Sequence, residues 1–355
     1  MHIYDYLFAA VIIVALLLGS TIMVTTFSSP ASIASDKDLL KMAAEKIMIQ
    51  LLLDPGYPYN WGSDNTSTQD LKVFGLAKCG ETSRQAYELD PDKVLRINSA
   101  LEGSGFNFVN ATIAANLLSL HNTQGSLDYG FTLEFNETLQ VNISPLVNDE
   151  YSVTVLSDYA LPIIGATVSA TLYYVNESSI RSVGPAYNQT SYDGSCTFNL
   201  STASGSSSKV LAVAVDYYGD QATKFFNAGT AVPAYLFGNS ILPYPSSYNM
   251  ANGSDCREII LIQNTTGIET RDFKIGYSVN STNFTLDNVL EPFALGVLAV
   301  SQEQQLIYAQ RDFSGISYRT IPAVRSAASA YSLERTVFIG GATYTATLYF
   351  WRMSS

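Results

Sequence analysis

The side chains best suited to nucleophilic or metal chemistry are few: two histidines, His2 and His121, and three cysteines, Cys79, Cys196 and Cys256. A Ser-His-Asp or Cys-His site needs an imidazole beside its nucleophile. His2 precedes a long apolar run, so such a site would have to use His121. Its setting, LSLHNTQ, reads as a helix end, where histidine commonly satisfies carbonyls. No two cysteines form a CxxC pair, so the usual zinc and thioredoxin-like signatures are missing. The chain contains no G-x-S-x-G, HExxH, P-loop or GxGxxG pattern. Asp90-x-Asp92 has calcium-loop spacing without the glycine and later glutamate of an EF-hand. The residues imply no catalytic site, no cofactor and no metal. One disulfide with one thiol left over, or three buried thiols, both fit the cysteine count. If a bridge forms, the expected pair is Cys196 with Cys256, because both fall in expected β regions.

The chain has 355 residues, enough for two or three domains, with 47% hydrophobic and only 14% charged residues. Low charge with many aromatics is unlike a disordered chain. A core can be buried, and the surface must be polar mainly through hydroxyls and amides. The net charge of −12 repels phosphates, which argues against nucleic acid as a partner.

Leu7 to Phe27, LFAAVIIVALLLGSTIMVTTF, carries no charge. About 21 helical residues span roughly 30 Å, the thickness of a bilayer's hydrocarbon core. The expectation is one transmembrane helix. A cleaved secretory signal is the rival reading, but the run is long for one and MHIYDY lacks a basic residue. Either reading puts the bulk of the chain outside the cytoplasm. Eleven N-x-S/T sequons follow the apolar run, at Asn65, Asn110, Asn136, Asn142, Asn176, Asn188, Asn199, Asn252, Asn264, Asn280 and Asn283. Their enrichment predicts a glycosylated exterior and a cell-membrane protein with its C-terminal bulk extracellular.

After a Pro/Ser linker, Asp36 to Leu53 repeats apolar residues at three- and four-residue spacing and reads as an amphipathic helix. Its stripe, Leu39, Ala43, Ile47 and Leu51, can pack on the protein's own sheet or on neighbouring copies. Asp54-Pro55-Gly56 ends it. Asp90 and Pro91 have the types of an N-cap and first helical residue, and Thr112 to Leu120 reads as a further short helix. From Tyr129 the period changes to two, in GFTLEF, LQVNIS, YSVTVLS, ATVSATLYYV, CTFNLS and KVLAVAVDYY, and again in the last third. The expected class is α+β, mainly β, with sandwich-like domains. The expected division is an anchor at 1–27, an α-rich stalk at 28–127, an immunoglobulin-like sandwich at 128–235 and a β-rich domain at 236–355.

Two resemblances follow. Gly165-Ala166-Thr167-Val168, and later Thr190-Ser191-Tyr192-Asp193-Gly194-Ser195-Cys196-Thr197-Phe198, resemble the strand and hairpin of immunoglobulin-like or prealbumin-like surface modules. Asp-Gly suits the tight turn and the flanking apolar residues suit a core. That family implies a structural or binding module. The apolar segment, Pro55-Gly56-Tyr57-Pro58-Tyr59-Asn60-Trp61-Gly62, Phe74-Gly75-Leu76-Ala77, Leu89-Asp90-Pro91-Asp92-Lys93-Val94 and the closing Tyr349-Phe350-Trp351-Arg352 resemble archaeal type IV pilin-like and pseudopilin-like surface proteins. Asp5 then stands where pilins carry an acid that pairs with a neighbouring subunit's amine. The resemblance implies a membrane-anchored structural or adhesive protein, self-assembling or joining other pilin-like subunits, with Asp5 and the Leu39 stripe as assembly residues. No basic leader with a prepilin-type cleavage site stands before the apolar run. That departure leaves open a stand-alone anchored protein that binds a surface glycan or protein.

Overall fold

A computed structural model describes residues 37–62, 67–79, 86–99, 107–121, 125, 127–147, 149–176, 179–202, 207–238, 240–243, 255–261, 268–274, 284–285, 294–301, 304–311, 313–320 and 330–353. The apolar run Leu7–Phe27, Asp5, Asn65, Asn252, Asn264, Asn280 and Asn283 lie outside these. Three α-helices are described: α1 (37–53), α2 (Pro91–Leu95) and α3 (Ala111–Leu117). In chain order the strands are β1 (Glu88–Leu89), β2 (Tyr129–Glu137), β3 (Leu139–Pro145), β4 (Glu150–Ser157), β5 (Thr167–Asn176), β6 (Ser179–Gln189), β7 (Ser195–Asn199), β8 (Lys209–Tyr217), β9 (Asp220–Asn227) and β10 (Val232–Phe237). They continue with β11 (Ser240–Pro243), β12 (Asp255–Leu261), β13 (Ile268–Lys274), β14 (Phe284–Thr285), β15 (Ala294–Val300), β16 (Leu306–Gln310), β17 (Ile316–Arg319), β18 (Tyr331–Ile339) and β19 (Ala342–Arg352).

The α-rich segment packs on a sheet ordered β1-β18-β19-β2-β17. On one side of α1, Ala44, Ile47, Met48, Leu51 and Leu52 are buried against Phe131, Leu133 and Phe135 of β2 and Ala346, Leu348 and Phe350 of β19. The segment expected to form a stalk at 28–127 therefore shares one core with strands from the end of the chain. Asp54 ends α1, its Oδ1 accepting from the Gly56 amide at 2.7 Å. Gly56 has φ +74°, and an added Cβ there would stand 2.7 Å from Val73 O. Asp90 caps α2 as its type implies, accepting from the amides of Asp92 and Lys93.

The middle of the chain forms the expected sandwich, with narrower bounds. β2 was expected inside it at 128–235, yet β2 pairs with β17 and β19 because Phe131, Leu133 and Phe135 complete the first core. The sandwich itself runs from β3 to β9. Sheet β3-β4-β7 faces sheet β6-β5-β8-β9 across a core of Val141, Val153, Val155, Val168, Leu172, Phe198, Leu211, Val213 and Val215. Numbered within the module, the strands pair as 1-2-5 against 4-3-6-7. This is an immunoglobulin-like Greek key with its fourth strand moved to the opposite sheet.

A third layer covers that sheet. Tyr173, Val175, Val210, Ala212 and Ala214 project from the other face of β5 and β8 onto Leu298, Val300, Leu306 and Tyr308. These belong to the seven-stranded sheet β13-β12-β15-β16-β10-β11-β14. The β6-β5-β8-β9 sheet is thus the middle of three β layers. Both faces of β5 and β8 are dry, which is why their sequences run nearly unbroken in apolar and small residues.

Candidate functional site

One end of the sandwich gathers three connections, and the sheet register dictates this. Thr167 at the start of β5 pairs with Gln189 at the end of β6 and with Asp216 near the end of β8. Asp216 pairs in turn with Gln221 of β9. The loop 158–166, the turn 190–194 and the turn 218–219 therefore open at the same edge.

Thr190 ties the first two together. Its hydroxyl donates to Ile163 O at 2.6 Å and accepts from the Ala166 amide at 2.9 Å. Its own amide donates to Ala166 O, and its carbonyl accepts from Gly165 N. Ser157 Oγ accepts from the amides of Tyr159 and Leu161, holding the first bend. The Asp193-Gly194 turn forms where the sequence places it. Gly194 has φ +75°, and its carbonyl accepts from Val155 N at 2.8 Å. Asp193 Oδ1 accepts from Ser191 Oγ at 2.6 Å and from the Ser195 hydroxyl and amide. The hydrogen bonds from Ser191 and then Ser195 hold its carboxyl down to about 2. At the third connection Tyr218 and Gly219 both have positive φ, as a two-residue type I′ hairpin requires. The Tyr217 ring meets Tyr218 edge-on at 4.7 Å. Asp220 in the same hairpin has its carboxyl raised by burial and by neighbouring Asp216.

These braced loops expose what proteins usually bury. Tyr218 is 94% exposed and Tyr192 83%, with Tyr159, Leu161, Ile164 and Tyr187 all exposed beside them. The stretches 158–166, 187–195 and 217–220 contain no lysine or arginine. Tyrosine offers a rigid amphipathic contact at low entropic cost. Richness in tyrosine was legible in the sequence, but its gathering at one edge follows from strand register.

The residues singled out from the sequence are dispersed. Ile47 and Leu51 are buried in the chain's own core, Ala43 packs beside it and Leu39 is exposed. Of the two packings the sequence allows for this stripe, Ile47 and Leu51 take the one on the chain's own sheet. Cys196 is an unbridged thiol buried in the sandwich core, where burial raises it to about 11. The expected Cys196–Cys256 bridge is not formed in this structure. Cys256 lies on β12 of the third layer, across the middle sheet from β7. Stacked sheets stand about 10 Å apart, beyond the roughly 7 Å Cα reach of a disulfide. His121 bridges Leu127, and its Nδ1 makes no hydrogen bond. Of the sequons, Asn110, Asn136, Asn142, Asn188 and Asn199 are exposed and Asn176 is half-buried. Asn188 has its amide nitrogen engaged, donating to Thr197 O at 3.0 Å. Among the described residues no three His, Cys, Asp or Glu side chains gather as a metal site.

Sequence reasoning missed the buried ions around α2. Lys93 is fully buried and donates to Pro55 O and Ala77 O, each at 2.9 Å. Burial lowers its pKa, and Asp90 offsets only part of this. Arg96 donates to Asn107 O and Trp61 O. These contacts join backbone segments and leave no open face, so they read as structural braces.

No known family description and no curated protein matches the chain. Among solved structures, an E. coli α2-macroglobulin in its native conformation superposes at 13% identity, covering 56% of this chain and 18% of that one, with a TM-score of 0.20. A tetra-tandem repeat from the extending region of a large adhesion protein gives 11% identity over 62% and 75%, with a TM-score of 0.19. A 1.5-MDa bacterial ice-binding adhesin gives 12% over 61% and 87%, also at 0.19. The chain spans less than a fifth of the macroglobulin's length. Superpositions at these scores establish neither a shared fold nor a shared role.

Proposed function

We propose that this chain is a membrane-anchored, non-catalytic surface protein that holds a protein partner at the loop edge of its immunoglobulin-like sandwich. The observation that carries this reading is the exposed set Tyr159, Leu161, Ile164, Tyr192 and Tyr218 on three braced connections. Exposed aromatic and aliphatic side chains gathered at one edge match the aromatic enrichment of an interface centre. Leu161 and Ile164 favour a protein over a glycan, because aliphatic tips fill a partner's pockets but do not stack on sugar rings. The apolar run Leu7–Phe27 supports the anchor in this reading, and the exposed sequons support an extracellular bulk.

The pilin-like filament is the alternative. It rests on Asp5 and the apolar segment, while Ile47 and Leu51 are committed to the chain's own core. A photo-crosslinking residue at position 192 or 159, with Thr154 on the sandwich's outer face as control, tests the reading on intact cells. A protein captured at the loop edge alone should bind at least tenfold more weakly to the Tyr159→Ser/Tyr192→Ser variant when purified. Equal binding by that variant would sink the proposal.

A further inference from the structure

Opposite the stripe that α1 gives to the core lies a second one. Leu39, Met42, Ile49 and Leu53 are all exposed, Met42 by 66%. At about 100° per residue, these four and Lys46 fall within an arc of about 80°, diametrically across the helix from Ala44, Met48 and Leu51. The turn after α1 adds Tyr57 and Tyr59, also exposed. No other described helix bares such a run. Lys46 stands inside the stripe, and exposed Lys72 stands 5.9 Å over the Tyr57 ring. On the same arithmetic the exposed Asp38 and half-buried Glu45 flank the stripe, while Lys37 and Lys41 lie toward the opposite side, so the face is apolar with mixed charge.

We infer that this outer face of α1 lies on the lipid surface of the membrane holding the protein. The inference rests on reading Leu7–Phe27 as the anchor. Nine residues, 28–36, separate that segment from the described start of α1 at 37. Nine residues reach at most roughly 30 Å, so α1 starts close to the bilayer. An exposed apolar helix face that carries a lysine and is followed by tyrosines suits the interface, where such a face sinks about 5–10 Å. Lys46, inside the stripe, can bury its stem and lift its ammonium to the headgroups. Seating the outer face on lipid puts the first core directly above the membrane and leaves the sandwich to project from it.

The test uses the full chain in phosphatidylcholine vesicles with brominated acyl chains, which quench nearby tryptophan. The native Trp61 and Trp351 are buried in the fold and give a constant background. Met42→Trp and Ile49→Trp are compared with Thr154→Trp on the outer sandwich face. The added emission at 42 and 49 should be quenched several-fold more than that at 154. Quenching equal to that at 154, in protein that floats with the vesicles, overturns the lipid contact and leaves the anchor intact. Blue-shifted emission at 42 without quenching also overturns it, in favour of a second copy on this face. Protein that fails to float overturns the anchor itself.

Discussion

Asp92 and Arg311 are 219 positions apart in the chain, yet an Arg311 Nη2 stands 3.4 Å from Asp92 Oδ1. The same carboxylate oxygen accepts from the Gly238 amide at 3.0 Å. Asp92 belongs to α2, Gly238 follows β10 and Arg311 follows β16. One buried cluster therefore rivets the helical segment to the seven-stranded sheet.

Removing one member leaves the other charge buried. Asp92→Ala or Arg311→Met should each destabilise the protein by about 3–5 kcal/mol. Denaturant unfolding of the two single variants and the double variant checks this. The double should cost clearly less than the sum of the singles.

Cys196 makes stability fall on the alkaline side. Its thiol is raised from 9.0 to about 11 in the fold. Above pH 9 the unfolded chain gives up this proton while the folded chain keeps it, so stability is full below pH 9 and drains away up to about 11. At about 1.4 kcal/mol per pKa unit the loss approaches 3 kcal/mol. Cys196→Ala should lack this loss relative to the native protein in unfolding curves taken from pH 8 to 11. In the native protein the thiol should also resist alkylation until unfolding.

Asp149 acts on the acid side. Burial pushes its carboxyl up, but hydrogen bonds from Lys209 at 2.7 and 2.8 Å and from Thr202 outweigh this and lower it. Its contribution is present above the ordinary carboxylate value and is lost as pH falls through the lowered one. Asp149→Asn should lose up to about 1 kcal/mol at neutral pH, the pair being part-exposed. The gap from native protein should narrow in acid unfolding as pH falls below the ordinary carboxylate value.

Gly194→Ala would force a side chain to φ +75° and place its Cβ 2.7 Å from Val155 O. A cost of about 1–3 kcal/mol is expected. Because Gly194 holds the turn that presents Tyr192, partner binding should weaken even in the fraction that remains folded. Thermal unfolding and binding by the same variant separate the two effects.

Local chemistry was legible where the next few residues decide it. The period of α1, the Asp90-Pro91 cap, the Asp193-Gly194 turn and the alternating strands each depend on nearest neighbours. β6 was not legible: it is an edge strand, carries Gly184-Pro185 and shifts register against β5 between Ala170 and Leu172, so little alternation remains. The buried charges at Asp92, Lys93 and Arg311 were invisible because their partners are distant in sequence.

The sequence by itself determined that this chain is mainly β, carries one long apolar segment, is sparing in charge and contains an immunoglobulin-like middle. Tertiary structure alone decided three things. It returned β17, β18 and β19 to β2, because the helical segment needs their apolar faces to complete its core. It stacked a third sheet on the sandwich, because β5 and β8 are apolar on both sides. It brought Tyr159, Tyr192 and Tyr218 to one edge, because pairing register fixes which strand ends meet, and no local pattern encodes that.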